Sequence, residues 1–103
     1  MPLTLSFSNT ADTSIIELVG ELDATTAGDF HETIEKAASR GLATVEIRMT
    51  GLTYMASAGL RSLVFARQKM GEEVEIRVVG AAAPVARIIR AAGLDRSCTL
   101  IDC

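Results

Sequence analysis

Aromatic residues, histidine, cysteine and proline are all scarce in this 103-residue chain. It has four aromatic residues and no Trp, which leaves little material for the stacking platforms that bind single-stranded nucleic acids. The two cysteines, Cys98 and Cys103, form no Cys-x-x-Cys pair, and His31 is the only histidine. We therefore expect no structural metal site.

Lysine and arginine are absent from the first third of the chain. Residues 1–35 hold seven of the 13 acidic residues, and all ten basic residues lie beyond them. The net charge of −3 argues against a general nucleic-acid binder, which normally has a basic face. An acidic pole could steer a basic partner toward the protein, although ordinary solubility explains the same charge equally well.

Long apolar runs are also missing. No run approaches the roughly 18 residues that a membrane-spanning helix needs, and residues 1–4 do not resemble a signal peptide. We expect a cytoplasmic protein. The length and the 49% hydrophobic content predict one domain over residues 1–103.

Hydrophobic periodicity predicts an α/β fold with the order β-β-α-β-α-β-α-β. Strands that alternate with helices from residue 14 onward imply right-handed crossovers and a mostly parallel sheet. The first hairpin adds an antiparallel strand at one edge, so the sheet is mixed. The predicted strands cover residues 3–8, 14–19, 43–49, 73–78 and 99–101. The first predicted helix follows a cap at Asp23 or Thr25 and ends before Gly41. The second runs from Ser57 to Met70 and is closed by Gly71. The third begins near Pro84 and ends at Gly93.

Individual side chains are also assigned from these patterns. The buried side of the second helix is expected to carry Leu60, Leu63, Val64 and Met70. Ala38 is expected on the buried side of the first helix, and Ala92 on the buried side of the third. His31 is expected to be solvated on the first helix. Met55 is expected as a soft contact at the surface.

The most informative segment is residues 51–60, Gly-Leu-Thr-Tyr-Met-Ala-Ser-Ala-Gly-Leu. It joins a predicted strand to a predicted helix, so that Ser57 lies where the helix begins, between small neighbours. Unpaired N–H groups and the helix dipole make that position receptive to negative charge, including a phosphate on Ser57. The simplest alternative is that Ser57 only caps the helix.

An enzymatic function is not supported by the motifs. The segment resembles the nucleophile elbow of hydrolases, but Met55 stands where the elbow needs glycine, and no histidine follows Ser57. Phosphate-binding loops of the Gly-x-x-x-x-Gly-Lys and Gly-x-Gly-x-x-Gly types are absent. We therefore expect neither catalysis nor a cofactor.

Three blocks resemble a known family. These are residues 20–27 (Gly-Glu-Leu-Asp-Ala-Thr-Thr-Ala), residues 52–60 and residues 80–94. In this order, over nearly the whole chain, they look like a STAS domain of the anti-sigma-factor antagonist type.

The resemblance implies a bacterial regulator of transcription, of the kind used in stress responses, that works by partner switching. Such a protein binds an anti-sigma factor that is also a GHKL-type serine kinase, which frees the sigma factor. The kinase then phosphorylates the antagonist, here at Ser57, and a PP2C-type phosphatase restores it. The implied partner interface comprises Glu21, Asp23, Thr25, Thr53, Met55, Ala56, Ala58 and Gly59.

The chain departs from the family pattern at Ala56, where the family usually has aspartate. Similar small STAS proteins serve as accessory subunits that are not phosphorylated, for example on the ATPase of a lipid transporter. This remains the alternative function. Within the interface, Asp23 could equally be only a helix cap, and Thr25 and Thr53 only turn-forming residues.

Overall fold

The structure is a computed structural model and describes residues 3–103. It has the predicted order of elements, with one 3₁₀ turn added at Leu94–Arg96. The strands are β1 (Thr4–Asn9), β2 (Thr13–Leu22), β3 (Thr44–Met55), β4 (Glu75–Val79) and β5 (Thr99–Ile101); the helices are α1 (Ala27–Arg40), α2 (Ser57–Met70) and α3 (Ala83–Ala91).

The five strands form one sheet in the order β1-β2-β3-β4-β5. β1 pairs with β2 in the antiparallel direction, and every other pair is parallel, which confirms the predicted topology. Each helix connects two neighbouring parallel strands, and the three connections step across the sheet in the same direction. Because such connections are right-handed in nearly all proteins, the three helices share one face of the sheet.

The core lies between this face and the helices. The largest fully buried side chains include Ile16, Leu18 and Ile47 on the strands and Phe30, Ile34 and Leu63 on the helices. The opposite face of the sheet is charged, with Glu46–Arg48 and Glu75–Arg77 ion pairs at 2.5 Å and 3.1 Å. One face is therefore covered and the other faces solvent.

The ends of α1 show how local sequence positions the helices. Gly41 follows α1 with φ of 64°, the left-handed conformation that glycine adopts without steric cost, as predicted. Thr26 precedes the helix and makes no side-chain capping bond. The N-cap residue is thus Thr26 and not Asp23 or Thr25, the two residues predicted; Asp23 accepts hydrogen bonds from the N–H groups of Thr26 and Ala27 in the turn that leads into the helix.

The third strand is longer than predicted. β3 continues through the segment expected to be a loop and ends at Met55, because β2 also continues and pairs with it from Val19–Gly51 to Leu22–Met55. Two register shifts in β2–β3 pairing, between Glu17 and Val19 and between Gly20 and Glu21, interrupt the simple alternation. That interruption hid the strand from the periodicity argument.

Three side chains are placed differently from the prediction. Val64 is 40% exposed on α2, where the small residues Ala58, Gly59 and Ser62 share the buried side with Leu63. Ala92 is exposed because α3 ends at Ala91. His31 is half-buried and stacks on Phe65, with ring centroids 4.5 Å apart, so it is not simply solvated.

Among residues 3–103, no helix is long and apolar enough to cross a membrane, and no group of three potential metal ligands comes together.

Candidate functional site: the surface at the start of helix α2

Ser57 is the first residue of α2 and is exposed. Ala56 occupies the N-cap position with extended backbone angles, and its carbonyl oxygen accepts bonds from the N–H groups of Gly59 (2.9 Å) and Leu60 (3.4 Å). Within residues 3–103, the Ser57 hydroxyl has no hydrogen-bond partner. The expectation that Ser57 caps the helix is therefore wrong, and its hydroxyl is free to react or to contact another molecule.

The start of α2 is held close to the ends of two strands. The Ala56 N–H donates to the carbonyl oxygen of Leu22, the last residue of β2, at 2.9 Å. A Cβ atom on Gly59 would lie 2.8 Å from both Leu22 Cδ2 and Met55 Cγ. Glycine at position 59 therefore lets the helix approach β2 and β3 closely, which fixes where Ser57 emerges.

The turn that follows β2 lies beside this helix start. One Asp23 carboxylate oxygen accepts bonds from the N–H and hydroxyl of Thr25, at 2.9 Å and 2.7 Å, and from the N–H of Thr26 at 3.2 Å. The Thr26 hydroxyl donates to the Glu21 carbonyl oxygen at 3.0 Å. This network makes the turn a rigid neighbour of the Ser57 surface, and it confirms that Thr25 forms part of the turn.

The hydrogen bonds to Asp23 also set its charge. Donation by the Thr25 hydroxyl, helped by the Thr25 N–H, lowers the pKa of the Asp23 carboxyl below its ordinary value, against a smaller opposing effect of desolvation. Asp23 is therefore a fixed negative charge beside the start of α2. By contrast, the first turn of α2 contains no acidic residue.

The residues named for the interface divide into exposed and buried groups. Thr25 and Thr53 are exposed, and Glu21 and Asp23 are partly exposed. Thr53 belongs to β3 rather than to a turn, and its hydroxyl donates to the Gly20 carbonyl oxygen at 2.9 Å, where the β2–β3 register shifts.

Three of the named residues lie beneath the surface. Met55 is 2% exposed and belongs to the core, so it is not the surface contact that the sequence suggested. Ala58 and Gly59 are also buried. These three residues support the Ser57 surface from below rather than form it.

Sequence reasoning missed a groove between α1 and α2. It has a volume of about 320 Å³ and is lined by Ala24, Ala27, Gly28, His31, Ala58 and Arg61. Arg61 is exposed and lies four residues after Ser57, which puts the two side chains on the same side of the helix. The i, i+4 spacing of Ser57 and Arg61 was the feature of the sequence that could have predicted that Arg61 belongs to this surface.

Comparison with known proteins identifies the family. The sequence profile described as "Mlab, STAS domain" matches residues 5–102, which is nearly the whole chain. The chain belongs to the STAS domain family.

Two mycobacterial proteins are similar to this STAS domain over nearly its full length. The anti-sigma-F factor antagonist RsfB of Mycobacterium tuberculosis is 24% identical over 100 residues, covering 97% of this chain and 82% of RsfB. The crystal structure of an anti-sigma factor antagonist from Mycobacterium paratuberculosis superposes with a TM-score of 0.88 at 25% identity, covering 98% of this chain and 86% of that one.

The Bacillus cell fate determinant SpoIIAA shares the fold. Its phosphorylated form matches with a TM-score of 0.75 at 18% identity, over 94% of this STAS domain and 90% of SpoIIAA. Its unphosphorylated form, described as an anti-sigma factor antagonist, matches with a TM-score of 0.81. Both forms of that protein thus share the fold of this one.

Proposed function

We propose that this STAS domain is an anti-sigma-factor antagonist. It binds an anti-sigma factor and so frees a sigma factor, and phosphorylation of Ser57 ends that binding. The partner proposed is an anti-sigma factor with GHKL-type serine kinase activity, and a PP2C-type phosphatase removes the phosphate. The protein acts in the cytoplasm by reversible binding and catalyses no reaction itself.

The observation that carries this proposal is the state of the Ser57 hydroxyl. It is exposed, it does not cap the helix, and within residues 3–103 it has no hydrogen-bond partner. A kinase can therefore reach it without first breaking a stabilising contact. The similarity to RsfB and to the antagonist from Mycobacterium paratuberculosis supports the antagonist function.

A phosphate on Ser57 has a clear physical effect in this setting. It adds about −1.5 to −2 charges at pH 7 to a surface that includes the ionised Asp23 carboxylate. The start of α2 and Arg61 tolerate that charge within the protein, but a partner that packs against the surface has to desolvate it. A loss of about 3 kcal/mol weakens binding on the order of a hundredfold, which is enough for a switch.

Ala56 constrains how the phosphate is transferred. The family's usual aspartate is absent, so the chain offers no carboxylate directly before Ser57. We propose that the group that orients or deprotonates the hydroxyl belongs to the kinase. The binding surface itself does not depend on Ala56, whose side chain is small and only partly exposed.

The test measures binding of the GHKL-type anti-sigma kinase from the same genome to purified variants. We expect Ser57→Ala to bind like the wild type and to resist phosphorylation by ATP and the kinase. Ser57→Asp should bind on the order of a hundredfold more weakly. The matched control is Ser39→Asp, which adds the same charge to an exposed serine in the last turn of α1, and should bind normally.

Stability measurements separate a switch from misfolding. Because the Ser57 hydroxyl does not cap α2, Ser57→Ala should change the free energy of unfolding by less than about 0.5 kcal/mol. If Ser57→Asp is folded and binds the kinase as tightly as the wild type, the proposed switch is wrong.

Ala56 also favours a second function, that of an accessory subunit on a transporter ATPase. Such a subunit needs a docking surface but no phosphate transfer, so an alanine at this position costs nothing. Equal binding of wild type and Ser57→Asp to a transporter ATPase subunit from the same genome, with no binding to the kinase, would establish this alternative.

A further inference from the structure

The first strand leaves one edge of the sheet open. β1 is the end strand and pairs only with β2, and no other element within residues 3–103 pairs with its outer edge. The N–H and C=O groups that point away from β2 are therefore available to another strand.

β1 also lacks the features that usually protect an edge strand. Natural edges are shortened, bulged, or marked by charged residues or proline. β1 is six residues long, and its pairing with β2 is in continuous register, without a bulge. Residues 1–11 contain no charged side chain, and β1 contains no proline. The other edge, β5, has only three residues and is followed by Asp102.

The two faces of β1 differ in a way that restricts what can pair with it. Leu5 and Phe7 lie on the face that packs against the core but remain only half-buried. Thr4, Ser6 and Ser8 alternate with them and are exposed on the other face. An added strand must therefore match apolar residues on one face and small hydroxyl residues on the other.

We propose that β1 is a self-association edge, at which a second copy of this chain adds its own β1 in the antiparallel direction. The two sheets then form one continuous sheet of ten strands around a two-fold axis at Ser6. This proposal is independent of the proposed function and of Ser57.

The alternation of β1 determines the register of this pairing. Paired residues must point to the same face, so their numbers must have the same parity. With Ser6 opposite the partner's Ser6, Leu5 lies opposite the partner's Phe7, and Thr4 lies opposite the partner's Ser8. Both half-buried apolar side chains thereby gain a covering neighbour, and hydroxyl groups meet hydroxyl groups.

The uncharged and self-complementary side-chain pattern of β1 favours a second copy over a different protein at this edge. Residues 12–35 carry seven acidic residues and no basic ones, so a basic partner is attracted to β2, α1 and the turn between them. Two copies repel each other through those elements. The neutral β1 edge lets them approach without placing charges opposite each other, and its pattern is complementary to itself.

Cross-linking tests both the contact and its register. In a Cys103→Ser background, Ser6→Cys should form an intermolecular disulfide under mild oxidation, since residues directly opposite in an antiparallel pair have Cα atoms about 4.5–5.5 Å apart, within the range for a disulfide. The matched control is Ser8→Cys, which lies opposite Thr4 of the other copy and should cross-link at least tenfold more slowly. Cys98 does not interfere, because it is 2% exposed and burial raises the pKa of its thiol.

The oligomeric state provides the second readout. Analytical ultracentrifugation of the wild type should show a concentration-dependent dimer. Ser6→Glu places two like charges opposite each other, each beside Glu17 of its own chain, and should weaken association at least tenfold, with an unchanged circular dichroism spectrum. A wild type that stays monomeric at millimolar concentration, or equal cross-linking of the Ser6→Cys and Ser8→Cys variants, would overturn the proposal.

Discussion

At the level of single residues, two positions before and after Ser57 determine how it is presented. Ala56 takes the N-cap position through its backbone alone, so the Ser57 hydroxyl is not used to satisfy the helix. Gly59 brings the helix within van der Waals contact of Leu22 and Met55. Ser57 is thus exposed because its neighbours meet the structural requirements of the helix start.

Gly59→Ala tests this close approach. The added Cβ would lie 2.8 Å from Leu22 Cδ2 and Met55 Cγ, so we expect a loss of about 1–3 kcal/mol in the free energy of unfolding from overpacking. The matched control is Gly28→Ala in α1, where an added Cβ meets nothing within 4 Å. This substitution should stabilise the helix by about 0.5–1 kcal/mol. Urea denaturation measures both; equal effects of the two substitutions would refute the tight contact.

Asp23 makes stability depend on pH at this site. Its pKa is lowered in the folded state, first by the Thr25 hydroxyl. A carboxyl with a lowered folded pKa stabilises the fold above its unfolded pKa, and that stability is lost as the pH falls through the folded value.

Asp23→Asn keeps an acceptor oxygen at position 23 but removes the titration. We therefore expect the wild type to be more stable than Asp23→Asn at pH 7, and the difference to disappear as the pH falls below the ordinary aspartate pKa of 3.8. Chemical denaturation of both proteins between pH 7 and pH 2 measures this. A difference in stability that stays constant over that pH range would show that ionisation of Asp23 does not stabilise the turn.

At the level of elements, an arginine holds the far end of α2. The Arg67 guanidinium donates to the carbonyl oxygens of Gly71 and Val74, each at 2.7 Å, and to that of Ser97. It thereby connects the end of α2 with the approaches to β4 and β5. The two ends of α2 therefore have different tasks: the first presents Ser57, and the last anchors the helix.

Arg67→Met should break this anchor while keeping the apolar part of the side chain. Hydrogen bonds from charged groups contribute about 1.5–3 kcal/mol, so we expect a loss of about 2–3 kcal/mol in the free energy of unfolding. Arg61→Met is the control in the same helix, because Arg61 is exposed and should change stability by less than about 0.5 kcal/mol. A similar small effect of both substitutions would show that the Arg67 bonds contribute little.

At the level of the whole molecule, the stability of the fold depends on the apolar core between the sheet and the helices. Ile47 lies on the central strand and is fully buried, whereas Val64 is 40% exposed on α2. The three helices share one core with the sheet, so a cavity at its centre weakens every element at once.

Ile47→Ala should therefore lower the free energy of unfolding by about 2–5 kcal/mol, a large part of the roughly 5–15 kcal/mol typical of small domains. Val64→Ala should change it by less than about 0.5 kcal/mol, because the side chain is partly solvated and alanine favours the helix. Thermal or urea unfolding followed by circular dichroism measures both. A cost for Val64→Ala comparable to that for Ile47→Ala would contradict the observed burial.

The sequence by itself determined the order of elements, the extent of α2, the glycine that ends α1 and the place of Ser57 at a helix start. These features depend on contacts between residues close in the chain, which hydrophobic periodicity and helix-terminating residues encode directly. The resemblance of residues 20–27, 52–60 and 80–94 to the STAS family was also contained in the sequence, and the family match confirms it.

Only the tertiary structure decided which elements lie against each other and what that contact covers. Pairing with β2 extends β3 to Met55 and buries that residue, packing of α1 beside α2 stacks His31 on Phe65, and Arg67 reaches Ser97, 30 positions along the chain. Local periodicity shows which side of an element is apolar, but the neighbour that covers it is distant in sequence. For the same reason, the free Ser57 hydroxyl and the open β1 edge emerged only from the assembled sheet and helices.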